Sequence, residues 1–200
     1  MMHPSGDAPG SRIGIFDRHA DDYDRWFDDH PDIYRQECAL VKNAVGHFRS
    51  GLEIGAGTGR FAVPLGIRVG VEPARSMARI ARRRGVEVVR GIGECLPLKS
   101  GSFDLVLMVT VICFMQNVQL ALSEAHRVLE PGGRIILAFL EREGRIARKY
   151  IKDSEKSRFL RHANFYSRAE IEQRLGEAGF SGLHIASLTG GFAVIAAEKA

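Results

Sequence analysis

Cysteine is scarce in this chain, and long apolar runs are missing. The three cysteines among 200 residues, Cys38, Cys95 and Cys113, have neither the spacing of a metal site nor the even number of a disulfide framework. No segment approaches the roughly 20 apolar residues of a membrane-spanning helix, and residues 1–11 lack the apolar core of a secretion signal. We therefore expect a cytoplasmic protein with no metal, disulfide or membrane span.

Neither sign of charge dominates. The chain has 28 Lys and Arg against 24 Asp and Glu, a net charge of +4. Arginines cluster in residues 76–84, but Met77, Ile80 and Ala81 are spaced so that the arginines face solvent on an amphipathic helix. A second basic set, in residues 145–161, is interleaved with acids and predicts either a substrate cap or a solvated helix. We favour the interpretation that both basic sets lie on solvent-exposed helix faces, so a nucleic-acid partner is not expected.

A single domain is predicted over residues 15–200. A chain of this length with 45% hydrophobic residues can bury one large core, and no repeat or linker divides it. Residues 1–14 begin with a stretch rich in Gly, Pro and polar residues and are predicted to form a flexible tail.

The most informative segment is a glycine-rich stretch at residues 52–61. Here Gly55, Gly57 and Gly59 follow an apolar run that contains Glu53. Glycine permits positive φ and close approach of a ligand to the backbone, so this spacing predicts a loop beneath a ligand. The dinucleotide pattern G-x-G-x-x-G would need glycine at position 60, and the P-loop would need lysine there, but the residue is Arg60.

The pattern E-x-G-x-G-x-G in this segment resembles the first motif of the class I S-adenosylmethionine-dependent methyltransferases. The resemblance implies S-adenosylmethionine as cofactor and S-adenosylhomocysteine as product, with Glu53, Gly55, Gly57 and Gly59 as cofactor-binding residues. It also implies an α/β fold, a Rossmann-like doubly wound sheet of seven strands, mostly parallel with a C-terminal antiparallel hairpin.

An acidic residue follows the next apolar run, at Glu72-Pro73. In doubly wound sheets an acid about 20 residues past the glycine loop accepts hydrogen bonds from ribose hydroxyls. We therefore predict that Glu72 and Pro73 contact the cofactor. The alternative is that Glu72 only begins a helix, since proline fits the first turn and acids suit a helix N-terminus.

Residues 91–98, after a predicted strand at residues 86–90, resemble the family segment G-D-A-E-x-L-P-F, which lies beside the adenine. The family's acid, which takes the adenine amino group, is replaced by Ile92. We therefore expect the adenine to be held by apolar contact and by backbone groups of Ile92 and Gly93. Whether this replacement weakens cofactor binding is left open by the sequence.

A buried strand is predicted at residues 102–109. Open α/β sheets bind ligands beyond the carboxyl ends of their strands, so Val109 and Thr110 are predicted to contact the cofactor. Nucleic-acid amino methyltransferases carry Asn/Asp-Pro-Pro-aromatic at this point, whereas this chain continues Val109-Thr110-Val111-Ile112. That difference argues against adenine or cytosine amines as substrate.

Residues 15–27 combine aromatic and acidic residues and resemble the F-x-x-x-A-x-x-Y-D-x-W stretch of ubiquinone and menaquinone methyltransferases. In those relatives the stretch forms a helix over the methionine end of the cofactor. The resemblance implies Tyr23 at the cofactor and Trp26 at the acceptor pocket, where aromatic faces suit a sulfonium cation. Alternatively, this segment forms only an apolar helix stripe, and the two interpretations are compatible.

The second half of the chain predicts the remaining elements. An apolar stripe over residues 117–130 indicates a helix that ends at Pro131-Gly132-Gly133 and leads to a strand at residues 134–140. Ser167 with Glu170 predicts a capping box at the start of a helix. Thr189-Gly190-Gly191 predicts the turn of a hairpin between residues 183–188 and 192–197.

We interpret the chain as a methyltransferase that acts on a small-molecule acceptor by in-line displacement. The predicted acceptor pocket contains Trp26, Cys113, Phe114 and Phe165. Neutral amines and thiolates attack unaided, whereas a phenol, hydroxyl or carbon acid needs a base. No catalytic residue is assigned, although His19, His30 and His162 are candidates for a base.

Two other functions fit the same motifs. One is methylation of protein or RNA, with the basic clusters as docking surface. The other is binding of S-adenosylmethionine without catalysis. The protein is expected to be a monomer or a homodimer.

Overall fold

The computed structural model describes residues 12–152, 158–160 and 163–200, which form a mixed sheet with helices on both faces. The strands are β1 (Gly51–Ile54), β2 (Val69–Val71), β3 (Glu87–Val89), β4 (Phe103–Val109), β5 (Leu129–Leu140), β6 (Phe180–Thr189) and β7 (Phe192–Lys199). The helices are α1 (Arg12–Arg18), α2 (Ala20–Asp29), α3 (Pro31–Val45), α4 (Ala62–Leu65), α5 (Arg75–Arg83), α6 (Val118–Val128), α7 (Arg145–Lys152) and α8 (Arg168–Glu177). A short 3-10 helix, Ile112–Phe114, follows β4.

The strand order is β3-β2-β1-β4-β5-β7-β6. Strands β1 to β5 pair in parallel, and β7 lies antiparallel between β5 and β6. The chain reverses its direction across the sheet between β1 and β4, which makes the carboxyl ends of these strands a topological switch point. The predicted Rossmann-like fold with a C-terminal antiparallel hairpin is confirmed.

Alternating side chains on the central strands build two cores, because successive residues of a strand point to opposite faces. Leu105 and Leu107 of β4 belong to a buried cluster with residues of α3, α4 and α5. Val106 and Met108 belong to a second cluster with residues of α6 and α8. The near-continuous apolar sequence of β4 therefore reflects a strand covered on both faces.

The link between α6 and β5 differs from the prediction. The helix ends at Val128, two residues before the predicted end at Glu130, and β5 begins at once with Leu129. The register then shifts: Leu129 lies opposite Phe103, but Arg134 lies opposite Leu105. The intervening Pro-Gly-Gly segment is an irregularity inside the strand, and Gly132 adopts the φ of 75° that it requires.

The amino-terminal segment also differs, because the predicted single helix over residues 15–27 is broken at His19 into α1 and α2. The first helix begins at Arg12, inside the segment 1–14 that the sequence analysis assigned to a tail. Residues 1–11 lie outside the described residues. The apolar stripe is present, with Ala20 and Phe27 buried.

The carboxyl-terminal elements follow the prediction. The Glu170 N–H donates to Ser167 Oγ at 3.3 Å, and the Ser167 N–H donates to Glu170 Oε2 at 2.7 Å, which completes the capping box of α8. Strands β6 and β7 form the predicted hairpin and are longer than predicted, since β6 begins at Phe180 and β7 continues to Lys199.

An ion network fastens α2 to the loop that follows β1. Asp24 Oδ1 lies 2.9 Å from Arg60 Nε and 2.6 Å from Arg84 Nη1, and the Asp24 side chain is only 16% exposed. Arg60 also pairs with Asp28 at 2.7 Å, and Arg84 donates to the Thr58 carbonyl at 2.8 Å. Burial alone would raise the pKa of the Asp24 carboxyl, but the hydrogen bonds from Arg84 and Arg60 outweigh burial and hold that pKa well below its usual range.

Replacing Asp24 with alanine should lower the free energy of unfolding by about 3 kcal/mol at pH 7, because two largely buried guanidinium groups lose their shared carboxylate. Since the folded-state pKa of Asp24 is lowered, its contribution is complete above about pH 4, the pKa of aspartate in an unfolded chain, and is lost as the pH falls further. Urea unfolding at pH 7 and pH 3 measures both effects. Asp28→Ala is the control, and because Asp28 is 63% exposed its effect should be much smaller. Equal losses in the two variants would contradict the buried network.

Candidate functional site

The glycine-rich loop lies at the switch point, between β1 and α4. The N–H groups of Gly55 and Ala56 donate to the Val71 carbonyl at 2.8 and 3.1 Å, which ties the loop to the end of β2. Gly55 has a φ of 72°, and a Cβ at this position would overlap the Val111 side chain. Glycine is therefore required here by both backbone conformation and packing.

Glu72 connects this loop to the start of α5. Its Oε2 accepts a hydrogen bond from the Gly57 N–H at 2.9 Å, and its Oε1 accepts one from the Ala74 N–H at 2.8 Å. The carboxyl is 7% exposed, and burial raises its pKa to about 7. Because each carboxylate oxygen can accept two hydrogen bonds, each keeps capacity for a further donor.

A cavity of about 710 Å³, called here the glycine-loop cavity, lies above the loop and Glu72. Its walls come from α1, α2, the carboxyl ends of the central strands and the segments that follow them. The predicted cofactor-binding residues that line it are Tyr23, Gly55, Gly57, Glu72, Pro73, Ile92, Gly93, Val109 and Thr110.

Two predicted cofactor residues do not line the glycine-loop cavity. Glu53 is 2% exposed, accepts a hydrogen bond from the Ala62 backbone, and has an Oε2 atom without a partner. Burial raises the pKa of Glu53 well above its usual value. Gly59 has a φ of 81°, and a Cβ there would meet Val86 and Ala81 at 3.2 and 3.4 Å. The predicted contact of both residues with the cofactor stays a prediction.

Residues 91–98, which are predicted to lie beside the adenine, are closely packed around Gly93. A Cβ on Gly93 would lie 2.7 Å from Met115 Cε and 3.1 Å from Ile54 Cγ2, so the site admits only glycine without rearrangement. Glu94 accepts a hydrogen bond from the Gln116 N–H at 2.8 Å and holds the loop after β4. Ile92 places an apolar side chain on the cavity where the family pattern has an acid.

Helices α1 and α2 cover the cavity with aromatic rings. The Phe16 ring lies 5.7 Å from that of Tyr23 and 4.8 Å from that of Phe114, both edge to face. Arg12 donates hydrogen bonds to the carbonyls of Phe114 and Met115 at 3.3 and 2.9 Å. Arg12 could not be identified as a site residue from sequence, because its partners are more than a hundred residues away.

A second cavity of about 580 Å³, called here the aromatic cavity, adjoins the first. Many of its lining residues are aromatic, and they come from α2, the residue before α4, the 3-10 helix, β5, α7 and the segments around residues 159 and 166. These rings belong to Tyr23, Trp26, Phe27, Phe61, Phe114, Phe139, Tyr150, Phe159 and Tyr166.

The two cavities share the residues Tyr23, Thr110 and Phe114. Thr110 has a φ of 48°, an uncommon conformation for a β-branched residue, and its N–H donates to the Ala138 carbonyl at 2.7 Å. Strained backbone such as that of Thr110 is concentrated at functional sites.

Burial raises the pKa of the Tyr23 hydroxyl, so this hydroxyl stays protonated near neutral pH.

The predicted acceptor residues separate into two groups. Trp26, Cys113 and Phe114 line the aromatic cavity. Phe165 does not line it, although its neighbours Asn164 and Tyr166 do. The Asn164 N–H donates to the Cys113 carbonyl at 2.8 Å and attaches this segment to the cavity wall.

No histidine is among the described residues that line either cavity. His19 lies beside Arg158 and Asp22 at the surface. The His30 ring stacks on Trp26 with centroids 4.6 Å apart, and its Nδ1 lies 2.9 Å from the Trp26 carbonyl oxygen. His162 lies outside the described residues.

Glu37 of α3 lines the aromatic cavity and was missed by the sequence analysis. It lies four residues before the buried Val41 and four after Ile33, another residue of the cavity wall. A carboxylate at this helical spacing from apolar residues is the signal that could have identified it. Burial raises the pKa of Glu37 to about 7.

In the part of the chain that the structure describes, no helix is long and apolar enough to cross a membrane. The same residues contain no group of three or more His, Cys, Asp or Glu side chains placed to hold a metal ion.

The chain is similar in sequence to known proteins. The family model of the methyltransferase domain matches residues 52–137, from β1 to β5. An uncharacterized protein of Methanocaldococcus jannaschii is 41% identical over 171 residues, which cover 86% of this chain and 83% of that protein. A malonyl-[acyl-carrier protein] O-methyltransferase of Methylococcus capsulatus is 29% identical over 69% of this chain, and this chain spans 54% of that protein.

A solved structure is similar over nearly the whole chain. It is the crystal structure of a SAM-dependent methyltransferase, possible histamine N-methyltransferase, from Thermotoga maritima, with 42% identity and coverage of 94% of this chain and 99% of that chain. A TM-score of 0.89 at this identity shows more than a shared fold. The chain therefore belongs to the S-adenosylmethionine-dependent methyltransferases.

Proposed function

We propose that this chain binds S-adenosylmethionine in the glycine-loop cavity and transfers the methyl group to a small molecule in the aromatic cavity. The observation that carries the proposal is the meeting of the two cavities at Tyr23, Thr110 and Phe114. A direct transfer between two ligands needs such a junction, because the acceptor atom must approach the methyl carbon from the side opposite sulfur.

The residues present fit the cofactor. The Glu72 carboxylate keeps hydrogen-bonding capacity for ribose hydroxyls while it holds Gly57 and Ala74. The glycine-loop cavity, at about 710 Å³, is within the usual size range of ligand pockets. Ile92 offers an apolar surface to the base, and the rings of Phe16 and Tyr23 offer faces that suit a sulfonium cation.

The methyl carbon itself needs no acid or base from the chain, and proton transfer concerns only the acceptor atom. When bound, the cofactor supplies an activated methyl carbon, whose new bond to the acceptor forms as the carbon–sulfur bond breaks and its electron pair stays on sulfur. The chain aligns the acceptor and excludes water. The protonated Tyr23 hydroxyl can donate a hydrogen bond at the junction, but it is not a base near neutral pH.

The lining of the aromatic cavity supports a small acceptor over a protein or RNA. Its walls are mostly aromatic and apolar, which suits a compact apolar body. The exposed arginines of α5 lie outside this lining. One relative is named a possible histamine N-methyltransferase and another a malonyl-[acyl-carrier protein] O-methyltransferase. Because these names indicate different acceptors, the acceptor class has to be inferred from the residues of this chain.

Calorimetric titration of the purified chain tests the cofactor directly. S-Adenosylmethionine and S-adenosylhomocysteine should each bind with a stoichiometry near one, whereas NAD should give no binding heat, because the loop lacks the dinucleotide pattern. Absence of binding by both adenosyl compounds to folded protein would overturn the proposal.

Replacing Gly57 with leucine should weaken S-adenosylhomocysteine binding at least a hundredfold. Gly57 has a φ of 54° and lines the cavity, and a Cβ there would have only Tyr23 Cε1 within 4 Å, at 3.8 Å, so a larger side chain would project into the space for the ligand. Gly66→Leu is the matched control, because Gly66 also has a positive φ, 76°, but lies away from both cavities. Both variants carry similar backbone strain of about 1–2 kcal/mol. If calorimetry gives equal affinities for the two variants, the glycine-rich loop is not part of the cofactor-binding site.

Replacing Glu72 with alanine should weaken S-adenosylhomocysteine binding by roughly 1–3 kcal/mol, about 5- to 150-fold, through lost hydrogen bonds to a carboxylate. Calorimetry gives the affinity, and thermal unfolding reports the separate loss of the Gly57 and Ala74 contacts. Glu87→Ala, an exposed carboxylate outside the cavity, is expected to bind as the unmodified chain does. An unchanged affinity in Glu72→Ala would mean that Glu72 only stabilises the start of α5 and does not contact the cofactor.

A further inference from the structure

Glu37 is a carboxylate in the wall of the aromatic cavity without a partner in the described part of the chain. It belongs to the same cavity lining as Trp26, Phe27 and Phe61. Burial raises its pKa, and no hydrogen bond or ion pair joins its carboxylate to another of the described residues. Asp22, the other carboxylate of this lining, is by contrast paired with Arg158 at 2.7 Å.

An uncompensated carboxylate in apolar surroundings is costly, because transfer of a charge out of water needs a counter-charge or hydrogen bonds. The cations that line the same cavity, Arg145 and Lys149, are both exposed and do not lower the pKa of Glu37. Among the described residues, therefore, no positive charge is paired with Glu37. The aromatic residues of the same lining can also attract a cation.

On the basis of the function proposed above, we propose that the acceptor in the aromatic cavity is an amine, held as its ammonium ion between Glu37 and the aromatic rings. An acceptor with a carboxylate or phosphate next to Glu37 is disfavoured, because two negative charges would meet in a region of low polarity. A neutral alcohol would leave the charge of Glu37 uncompensated. The acceptor class is thus a small apolar amine.

Transfer of a methyl group to that nitrogen requires the loss of one proton, since an ammonium ion has no lone pair. The Glu37 carboxylate accepts this proton. The nitrogen lone pair then forms the bond to the methyl carbon, and the electron pair of the carbon–sulfur bond leaves with sulfur. Burial raises the pKa of Glu37 to about 7, and a base with a pKa near the working pH is suited to proton transfer.

The other ionisable groups of the cavity differ from Glu37. Burial raises the pKa of Tyr23, and it raises the pKa of the Cys113 thiol to about 12, so both are protonated near neutral pH. Asp22, Arg145 and Lys149 are exposed, unlike Glu37. The pH dependence of amine binding between pH 6 and pH 8 is therefore expected to follow Glu37.

The test compares three probes that share a phenyl ring, namely 2-phenylethylamine, 2-phenylethanol and 3-phenylpropanoate. Each is titrated by calorimetry into protein saturated with S-adenosylhomocysteine. At pH 8 the amine should bind at least tenfold more tightly than the alcohol, and the acid should bind most weakly. From pH 8 to pH 6 the affinity for the amine should fall about tenfold as Glu37 is protonated.

The variant Glu37→Gln should remove the preference for the amine and its dependence on pH, while the affinity for S-adenosylhomocysteine stays unchanged. Glu87→Gln, which replaces an exposed carboxylate outside the cavity, should keep the preference. Thermal unfolding at pH 8 checks the fold of both variants. If Glu37→Gln does not fold, the comparison of amine with alcohol across pH in the unmodified protein decides.

Equal affinities for amine and alcohol, an amine preference that persists in Glu37→Gln, or no binding of any probe would each overturn the inference. These outcomes are distinct from a failure of the proposed function. That failure would appear earlier, as absence of S-adenosylhomocysteine binding by the unmodified protein.

Discussion

Parallel pairing between β1 and β4, in register from Gly51 opposite Leu105 to Glu53 opposite Leu107, brings the carboxyl ends of both strands to the same edge of the sheet. Because the chain departs from this edge in opposite directions, a crevice opens there that no strand-to-helix crossover covers. The glycine-rich loop leaves β1 at the crevice, and the segment beginning at Thr110 leaves β4 there. The loop after β1 and the segment after β4 therefore both contribute residues to the glycine-loop cavity.

Helices α1 and α2 cover part of the crevice. The Phe16 ring contacts the rings of Tyr23 and Phe114 edge to face, and Phe159 packs on Phe16 and Tyr23 with centroids 5.3 and 5.6 Å apart. Aromatic contacts of this geometry are favourable beyond the area that they bury. Tyr23 and Phe114 belong to the linings of both cavities, together with Thr110 at the end of β4.

The sequence predicted those features that depend on local backbone requirements. Gly55 and Gly57 need conformations that other residues adopt at a cost, and Glu72 follows its strand at a fixed distance, so spacing alone identified them. Which side of an element faces a cavity depends instead on packing between distant segments. For that reason Phe165 was predicted in the aromatic cavity, whose lining contains its two neighbours instead, and Glu37 was missed.

The same distinction explains the errors in element boundaries. The capping box of Ser167 and Glu170 is a local signal, and the start of α8 agrees with it. The end of α6 is not set locally, because residues that would continue the helix pair with β4 instead. Tertiary pairing therefore overrides local helix preference at this point.

The attachment of α2 through Asp24, Arg60 and Arg84 has a consequence for the conditions under which the site remains covered. Dissolved salt screens charges that face water, but it acts weakly on a carboxylate that is 16% exposed. The desolvation penalty of such charges also decreases on heating, whereas apolar stabilisation per unit area levels off. The cover of the glycine-loop cavity is thus fastened by a contact that tolerates high ionic strength and elevated temperature better than an exposed ion pair would.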